Sequence, residues 1–250
     1  MKNQYLEKLS KIEFVVTDAC TGQCKHCSQG DHKPCGERID ADIAVNALRS
    51  VASEYDLKTV MTFGGEPMLC ADTVCEIMRT ASELGIAKRQ VITNGYFSKS
   101  AKRVSEVAAK LSECGVNDLL LSVDAFHQEI IPIESVRAFA VELKRYGVPT
   151  RLQPAWLVSA ADTNPYNMRT RELLDSLADL NIPESEGNVI FPEGNALKYL
   201  SDYFKGTHPQ NPYEEDPKDV RCLSFSANGD VLDGNVYELD IMEIVNHYVP

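Results

Sequence analysis

The sequence lacks both a long apolar run and an excess of basic residues. In 250 residues, no segment reaches the roughly 18 apolar residues that a membrane-spanning helix needs. The first residues, MKNQYLEKLSKIEF, contain no apolar core of a secretory signal. Lys and Arg together number 25 against 37 Asp and Glu, a net charge of −12, whereas nucleic-acid backbones are bound by basic surfaces. These absences predict a cytoplasmic protein with neither a membrane nor a nucleic acid as partner.

The negative charge is concentrated near the end of the sequence. Between Tyr213 and Glu243 there are nine acidic residues, and Lys218 and Arg221 are the only bases. A solvated acidic face and a docking site for a basic peptide are both compatible with this pattern.

The eight cysteines do not indicate a disulfide scaffold, because such scaffolds are typical of small secreted chains. Metal binding or catalysis is the better interpretation. Cys70, Cys75 and Cys114 fall on or beside predicted helices, where a free cysteine is most often a small buried apolar residue. Cys35 and Cys222 have no helix to explain them and are candidates for a redox pair or a substrate thiol partner.

Strand-like and helix-like segments alternate along the chain. The predicted strands cover residues 12–19, 59–63, 89–95, 118–126, 150–158 and 188–191. The first predicted helix begins at an Asp40 cap. The next four cover residues 74–84, with Gly85 as a C-cap, 99–114, 134–146 and 168–180. A spacing of about 30 residues between strands is typical of right-handed βαβ units in a parallel sheet.

Six such units predict an α/β fold, a partial (β/α)6 TIM-like barrel over residues 1–195. Residues 196–250 are predicted to form a short, acidic, loop-rich C-terminal extension. Within it, residues 222–234 suggest a small hairpin that turns at Asn228-Gly229.

The segment DACTGQCKHCSQG, residues 18–30, places Cys20, Cys24 and Cys27 close together after the first strand. A structural zinc site has four ligands, so His26 or Cys35 would have to supply the fourth. A 4Fe-4S cluster bound by three thiolates instead leaves one iron free for a ligand from outside the protein. The cysteines alone leave both alternatives open.

A second motif follows the second predicted strand. It consists of Gly64, Gly65, Glu66 and Pro67. Together with the spacing Cys-x3-Cys-x2-Cys, this motif resembles the radical S-adenosylmethionine (SAM) enzymes over roughly residues 12–195. The resemblance implies that Cys20, Cys24 and Cys27 bind three irons of a 4Fe-4S cluster and that SAM chelates the fourth. It also implies that SAM is cleaved to methionine and a 5′-deoxyadenosyl radical, which abstracts hydrogen from the substrate.

The resemblance assigns cofactor contacts to further polar residues at strand ends. The Gly64 to Pro67 segment is expected to receive the methionine amino group, and Asn94 and Ser122 to hold the ribose or the carboxylate. Arg151 and Gln153 are further candidates for the carboxylate. His26 stands where the family commonly has an aromatic residue, and it is expected to pack beside the cofactor.

Four residues at or after strand ends are candidates for a role in the substrate pocket or in catalysis. Asp124 is either a substrate-side proton acceptor or a structural cap. Phe126-His127 and Trp156 are candidates for lining the pocket.

Modification of a peptide or protein side chain is the favoured function, because the strand-end motifs resemble those of peptide-modifying members and a partial barrel leaves room for a large substrate. A shortened C-terminal extension with Cys222 alone makes an auxiliary cluster unexpected. The alternatives are an activase of glycyl radical enzymes, a small-molecule radical SAM enzyme, and a non-catalytic metal-binding module. The resemblance also implies an electron donor such as flavodoxin or ferredoxin.

Overall fold

A computed structural model describes residues 2–32, 35–206 and 209–250. Its strands are β1 Lys11–Thr17, β2 Thr59–Gly64, β3 Lys88–Thr93, β4 Asp118–Ser122, β5 Thr150–Gln153, β6 Ala155–Trp156, β7 Asn188–Val189, β8 Cys222–Phe225, β9 Asp230–Val231 and β10 Gly234–Asn235. Its α-helices are α1 Ala41–Glu54, α2 Ala71–Glu83, α3 Ala101–Glu113, α4 Ala125–Gln128, α5 Ile133–Arg145, α6 Pro165–Asp175, α7 Gly194–Tyr199 and α8 Ile241–His247.

The central sheet has six strands in the order β5-β4-β3-β2-β1-β8, and every neighbouring pair is parallel. Helices α1, α2, α3 and α5 connect successive strands of this sheet and bury their apolar faces in its main core. The sheet does not close into a barrel within the described residues. The predicted α/β fold with an open, TIM-like arrangement of parallel strands is therefore confirmed.

Local sequence explains where the helices begin and end. Asp40 caps α1, because its carboxylate accepts hydrogen bonds from the backbone N–H groups of Asp42 and Ile43. After α2, Gly85 has a φ of +72°, and Ile86 N–H donates to Ala81 O at 3.0 Å, as in a Schellman motif. The predicted caps at Asp40 and Gly85 are both confirmed.

The sixth strand of the sheet is not the predicted one. Residues 188 and 189 pair with β6 in a separate two-stranded sheet, because Pro154 lies between β5 and β6 and has no N–H to continue a ladder. The outer position beside β1 is taken by β8, where Phe14 pairs with Phe225 and their rings stack at 4.8 Å.

The hairpin predicted for residues 222–234 is also wrong in its pairing, because residues 222–225 belong to the central sheet. The turn at Asn228-Gly229 does form, and Gly229 N–H donates to Ser226 O at 2.9 Å. The short hairpin that follows pairs β9 with β10. The division into two domains after residue 195 stays a prediction; that position lies within α7.

The other differences are small. Helix α6 begins three residues before the predicted start, because Asn164 caps it and Pro165 occupies its first position. Among the described residues, none of the helices has the length and apolar content that crossing a membrane would require.

Candidate active site at the carboxyl ends of the strands

A cavity of about 440 Å³ lies beside the central sheet and extends to the carboxyl ends of its strands. This volume is within the range of small-molecule sites, about 300–1,000 Å³. Its wall combines part of the loop after β1, the glycine pair at the end of β2, and polar residues that end β3, β4 and β5. In parallel α/β folds, this edge of the sheet is where active sites are built.

The loop of residues 18–30, called the cysteine loop below, brings three thiols to this cavity. Cys20, Cys24 and Cys27 all line it, and none is in a disulfide. Gly22 lies between two of them, since a Cβ atom on Gly22 would be 3.2 Å from Cys24 Sγ and 3.7 Å from Cys20 Sγ. The backbone of Gly22 therefore lies close to both of these sulfur atoms.

The acidity of the three thiols differs with their surroundings. Burial raises the pKa of Cys20 to about 11 and also raises that of Cys24. Burial acts the same way on Cys27, but the imidazole of His32, with Nε2 3.2 Å from Cys27 Sγ, lowers its pKa overall. Thiolates are the forms that bind metals, so loading of this site must release protons.

The donor set fits an iron–sulfur cluster held by three cysteines. Thiolates suit this cluster, and three of them leave one coordination position free. Cys35, the fourth ligand of the alternative hypothesis, is exposed and is not part of the cavity wall. The side chains of Cys24, His26 and His127 place their ligand atoms within 4.8 Å of one another, so imidazole nitrogens lie beside the thiols.

The glycine pair of β2 lies directly against the start of the cysteine loop. Gly65 N–H donates to Thr17 O at 2.7 Å, and Glu66 N–H donates to Ala19 O at 2.8 Å. A Cβ on Gly65 would lie 2.2 Å from Ala19 O, so only glycine fits. Gly64 and Gly65 both line the cavity, as the three cysteines do.

The Glu66 side chain is fully buried behind this segment. One carboxylate oxygen accepts from Met68 N–H at 2.9 Å and from Thr93 Oγ1 at 2.7 Å. The other accepts from Asn94 N–H at 2.8 Å. Burial raises the pKa of Glu66 to about 7, although these hydrogen bonds oppose the shift. Glu66 thus ties the end of β2 to the end of β3, and its oxygens are used within the protein.

Pro67 is also buried and begins a short 3-10 turn, Pro67–Cys70. Neither Glu66 nor Pro67 is part of the cavity wall. Their direct contact with the cofactor stays a prediction. For Glu66 such a contact would involve backbone atoms, because both carboxylate oxygens accept hydrogen bonds within the protein.

Three predicted polar residues at strand ends do line the cavity: Asn94, Ser122 and Gln153. Asn94 Nδ2 donates to Thr21 Oγ1 at 3.2 Å and lies 3.6 Å from Cys20 Sγ. The structure brings these residues together with the cysteines, as the sequence predicts for strands that end at one edge.

Arg151 does not belong to this group. Its guanidinium donates to Asp118, with Nη2 2.7 Å from Oδ1 and 2.9 Å from Oδ2, and it lies outside the cavity wall. The reason is its place on β5, two residues before the carboxyl end, where its guanidinium pairs with Asp118 at the start of β4. The expected contact with the SAM carboxylate is therefore not supported.

Asp124 caps α4 and pairs with a histidine. Its Oδ1 accepts from the backbone N–H groups of Phe126 and His127, and its Oδ2 lies 2.7 Å from His127 Nδ1. Burial would raise the pKa of Asp124, but the charge of His127 and that of His26 lower it to about 2. Because both carboxylate oxygens have partners within the protein, the geometry favours the structural alternative for Asp124.

His26 packs in the cavity wall with its ring 5.0 Å from Phe126 and 4.7 Å from His127. Burial lowers its pKa to about 4, and its buried Nδ1 has no hydrogen-bond partner among the described residues. Of the predicted pocket aromatics, His127 lines the cavity, Phe126 stacks on Tyr166 behind it, and Trp156 packs in the core.

Sequence reasoning missed two residues of this site. His32 Nε2 lies 3.2 Å from Cys27 Sγ, and Asn195 donates its backbone N–H to Cys27 O at 2.8 Å. Asn195 follows the predicted strand 188–191, so attention to residues after strand ends was a signal for it. No pattern in the sequence marks His32.

Comparisons with known proteins agree with this site. The Radical SAM superfamily model matches residues 14–153. The chain is 25% identical over 130 residues to the probable GTP 3′,8-cyclase of Methanocaldococcus jannaschii, which covers 52% of this chain and 41% of the relative. The chain thus spans about two fifths of the length of the curated relatives it matches.

Solved structures share the fold. Streptococcus suis SuiB bound to SAM matches with a TM-score of 0.60 at 15% identity, over 96% of this chain and 66% of that one. The protein anSMEcpe, solved with SAM and a peptide, matches with a TM-score of 0.56 at 16% identity, over 93% of this chain and 75% of that one. Because the superfamily model covers more than half of a chain whose cavity gathers the three cysteines, this protein belongs to the Radical SAM superfamily.

Proposed function

We propose that this chain is a radical SAM enzyme that acts on a side chain of a peptide or protein. The observation that carries the proposal is that the three cysteines, the glycine pair of β2 and the polar ends of β3 to β5 line one cavity. A metal-binding module without catalysis needs the cysteines but has no use for the other two groups.

The cofactors of the superfamily are a 4Fe-4S cluster and SAM. When bound, they supply a one-electron reductive cleavage of SAM to methionine and a hydrogen-abstracting group that leaves as 5′-deoxyadenosine. In this proposal Cys20, Cys24 and Cys27 hold three irons, and the open position receives SAM. The electron donor, a flavodoxin or ferredoxin, and the cytoplasmic location belong to the same proposal.

The residues around the open position bind and orient SAM. The backbone carbonyls of Gly64 and Gly65 accept from its ammonium group, because both lie on the wall and neither adds a side chain. Asn94 and Ser122 offer polar groups to the ribose or carboxylate, with Gln153 at the next strand end. His26 supplies an uncharged ring face, since its pKa is about 4.

Glu66 and Asp124 act on this site through their neighbours. Glu66 holds the ends of β2 and β3 together. Asp124 fixes the ring of His127 in the wall. Neither carboxylate is assigned a proton-transfer step.

The peptide substrate is supported by two solved relatives of similar fold. SuiB is also solved bound to a precursor peptide, SuiA, and anSMEcpe is solved with a peptide. A small-molecule substrate is the second candidate, because the curated relatives include GTP 3′,8-cyclases.

Anaerobic reconstitution tests the chemistry. The chain should take up about four irons through three thiolates and, with dithionite as reductant, convert SAM to 5′-deoxyadenosine and methionine. Cys24→Ala should abolish cleavage. Binding of zinc alone with no cleavage would overturn the proposal, and so would cleavage that survives in the Cys24→Ala chain.

Deuterium transfer tests the substrate class. The reconstituted enzyme is given a deuterated cell lysate separated into a protein and peptide fraction and a non-peptide fraction, and 5′-deoxyadenosine is analysed by mass spectrometry. Deuterium from the protein and peptide fraction supports the proposal. Deuterium from the non-peptide fraction alone, or from deuterated GTP, would replace it with the small-molecule alternative.

A further inference from the structure

The side chain of Asn195 donates hydrogen bonds to the cysteine loop. Asn195 is 3% exposed and lies at the start of α7. Its Nδ2 donates to Cys24 O at 3.2 Å and to Gly30 O at 3.2 Å, and its backbone N–H donates to Cys27 O at 2.8 Å. One residue thus holds three carbonyl groups of the loop that carries the thiols.

This arrangement adds to the loop's own turns. Cys27 N–H donates to Cys24 O and Gly30 N–H donates to Cys27 O, both at 3.2 Å. A carbonyl oxygen has two lone pairs, so Asn195 supplies a second donor to each of these groups. A primary amide has two N–H donors in a fixed plane, so one asparagine can bridge two carbonyls. The bridge joins Cys24 to Gly30, and the segment between these two residues contains Cys27, so both proposed cluster ligands are held.

The neighbouring residue shows how closely the two segments approach. A Cβ on Gly194 would lie 2.4 Å from Ser28 O and 2.6 Å from Cys27 O. The backbone at the start of α7 therefore lies directly on the cysteine loop, and glycine at 194 allows Asn195 to reach it.

We propose that Asn195 is a positioning residue that fixes the cysteine loop in the geometry that receives and retains the cluster. This inference rests on the proposed function, because it assumes that the loop binds a 4Fe-4S cluster. Asn195 touches neither the cluster nor SAM in this assignment; it acts through the backbone of Cys24 and Cys27. Metal sites need such support, because ligands must be held within about 0.5 Å of the productive geometry.

Asn167 provides a matched control. It is fully buried, and its Nδ2 donates to the carbonyls of Leu157, Ser159 and Asp162 at 3.0, 2.8 and 3.2 Å. It therefore braces a loop as Asn195 does, but that loop is not part of the cavity wall.

The test compares Asn195→Asp with Asn167→Asp, each reconstituted anaerobically with iron and sulfide. Aspartate keeps the shape of asparagine but replaces the two N–H donors by an oxygen that faces carbonyl oxygens. We measure the iron retained per chain, the rate of iron loss to EDTA, and the EPR spectrum of the reduced cluster with and without SAM. Thermal unfolding of the metal-free chains shows how far each variant is destabilised.

Asn195→Asp should lose iron about 10-fold faster than the unaltered chain, the lower end of the effect of removing an outer-shell partner of a metal ligand. Its EPR spectrum should broaden as the loop takes several geometries. Asn167→Asp should lower the melting temperature but retain iron at the unaltered rate. If Asn195→Asp does not fold, Asn195→Ser, which keeps one donor, carries the same comparison.

Unaltered retention of iron in the Asn195 variant would overturn the inference, and so would equal loss from both variants at matched stability. An unaltered chain that never assembles a 4Fe-4S cluster would instead refute the proposed function, which separates the two failures.

Discussion

Replacing Gly65 with alanine tests whether the end of β2 must touch the cysteine loop through its backbone. Gly65 does not have a positive φ, so alanine introduces no conformational strain of its own. The added Cβ would lie 2.2 Å from Ala19 O and 2.6 Å from Ala19 C. Both are backbone atoms of the residue before Cys20, and neither can rotate away.

The structure can respond to the added methyl group in two ways. If the strand stays in place and the close contact with Ala19 remains, the free energy of unfolding should fall by about 1–3 kcal/mol, as for an extra methyl group in a packed site. If β2 moves away by roughly 1 Å, SAM cleavage should slow on the order of 100-fold, because a displacement of this size disrupts the reacting geometry. We expect the variant to show both effects, divided according to how far the strand moves.

Urea unfolding of the metal-free chain and the rate of 5′-deoxyadenosine formation measure these effects. Gly147→Ala is the control: Gly147 has a φ of +69°, and its added Cβ would meet no atom within 4 Å. The control should lose about 1 kcal/mol through backbone strain alone and cleave SAM at the unaltered rate. The reasoning is refuted if Gly65→Ala keeps the stability and the cleavage rate of the unaltered chain.

Three further predictions concern the cysteines and two charged residues. Cys35→Ala should bind about four irons and cleave SAM normally, whereas Cys24→Ala should do neither; loss of iron from the Cys35 variant would point to a four-cysteine site. In the metal-free chain, burial raises the pKa of Glu66 to about 7. Between the ordinary glutamate pKa and about 7, the folded state therefore holds a proton that the unfolded state has lost. The free energy of unfolding should fall as pH rises through this range. Urea titrations at several pH values should show that Glu66→Gln removes this slope; an unchanged slope would contradict the assignment. Arg151→Gln should leave the KM for SAM unchanged and alter the unfolding free energy by about 1 kcal/mol or less, because the ion pair with Asp118 is partly exposed; a raised KM would restore Arg151 to the cofactor site.

Much of the site could be predicted because its residues follow strands. Parallel strands bring their carboxyl ends to one edge of the sheet. That the cysteine loop, Gly64-Gly65, Asn94 and Ser122 lie near one another could therefore be predicted without knowing any contact between distant residues. Local patterns carry this information: apolar periodicity identifies the strands, and polar residues follow them. Cap residues such as Asp40 were predictable for the same reason.

The features that could not be predicted depend on residues far apart in sequence. Arg151 and Gln153 are two positions apart on one strand and so share a face, which makes them equally plausible by position, but only the structure shows Asp118 beside the arginine. Glu66 is a motif residue whose oxygens are occupied by Thr93 and Asn94, which no local pattern reveals. The position of β8 beside β1 joins opposite ends of the chain, and a four-residue strand gives no indication of its partner.

The pairing of β8 with β1 also has a consequence for the order of events when the protein is made. The cysteine loop follows β1, yet one edge of β1 lacks its neighbour until β8 has left the ribosome, and Asn195 is also made late. Contacts between such distant residues form slowly, because the long intervening chain must first lose conformational freedom. The thiols are therefore exposed to free metal ions before their support is complete, so we expect cluster insertion to succeed only after synthesis has passed β8.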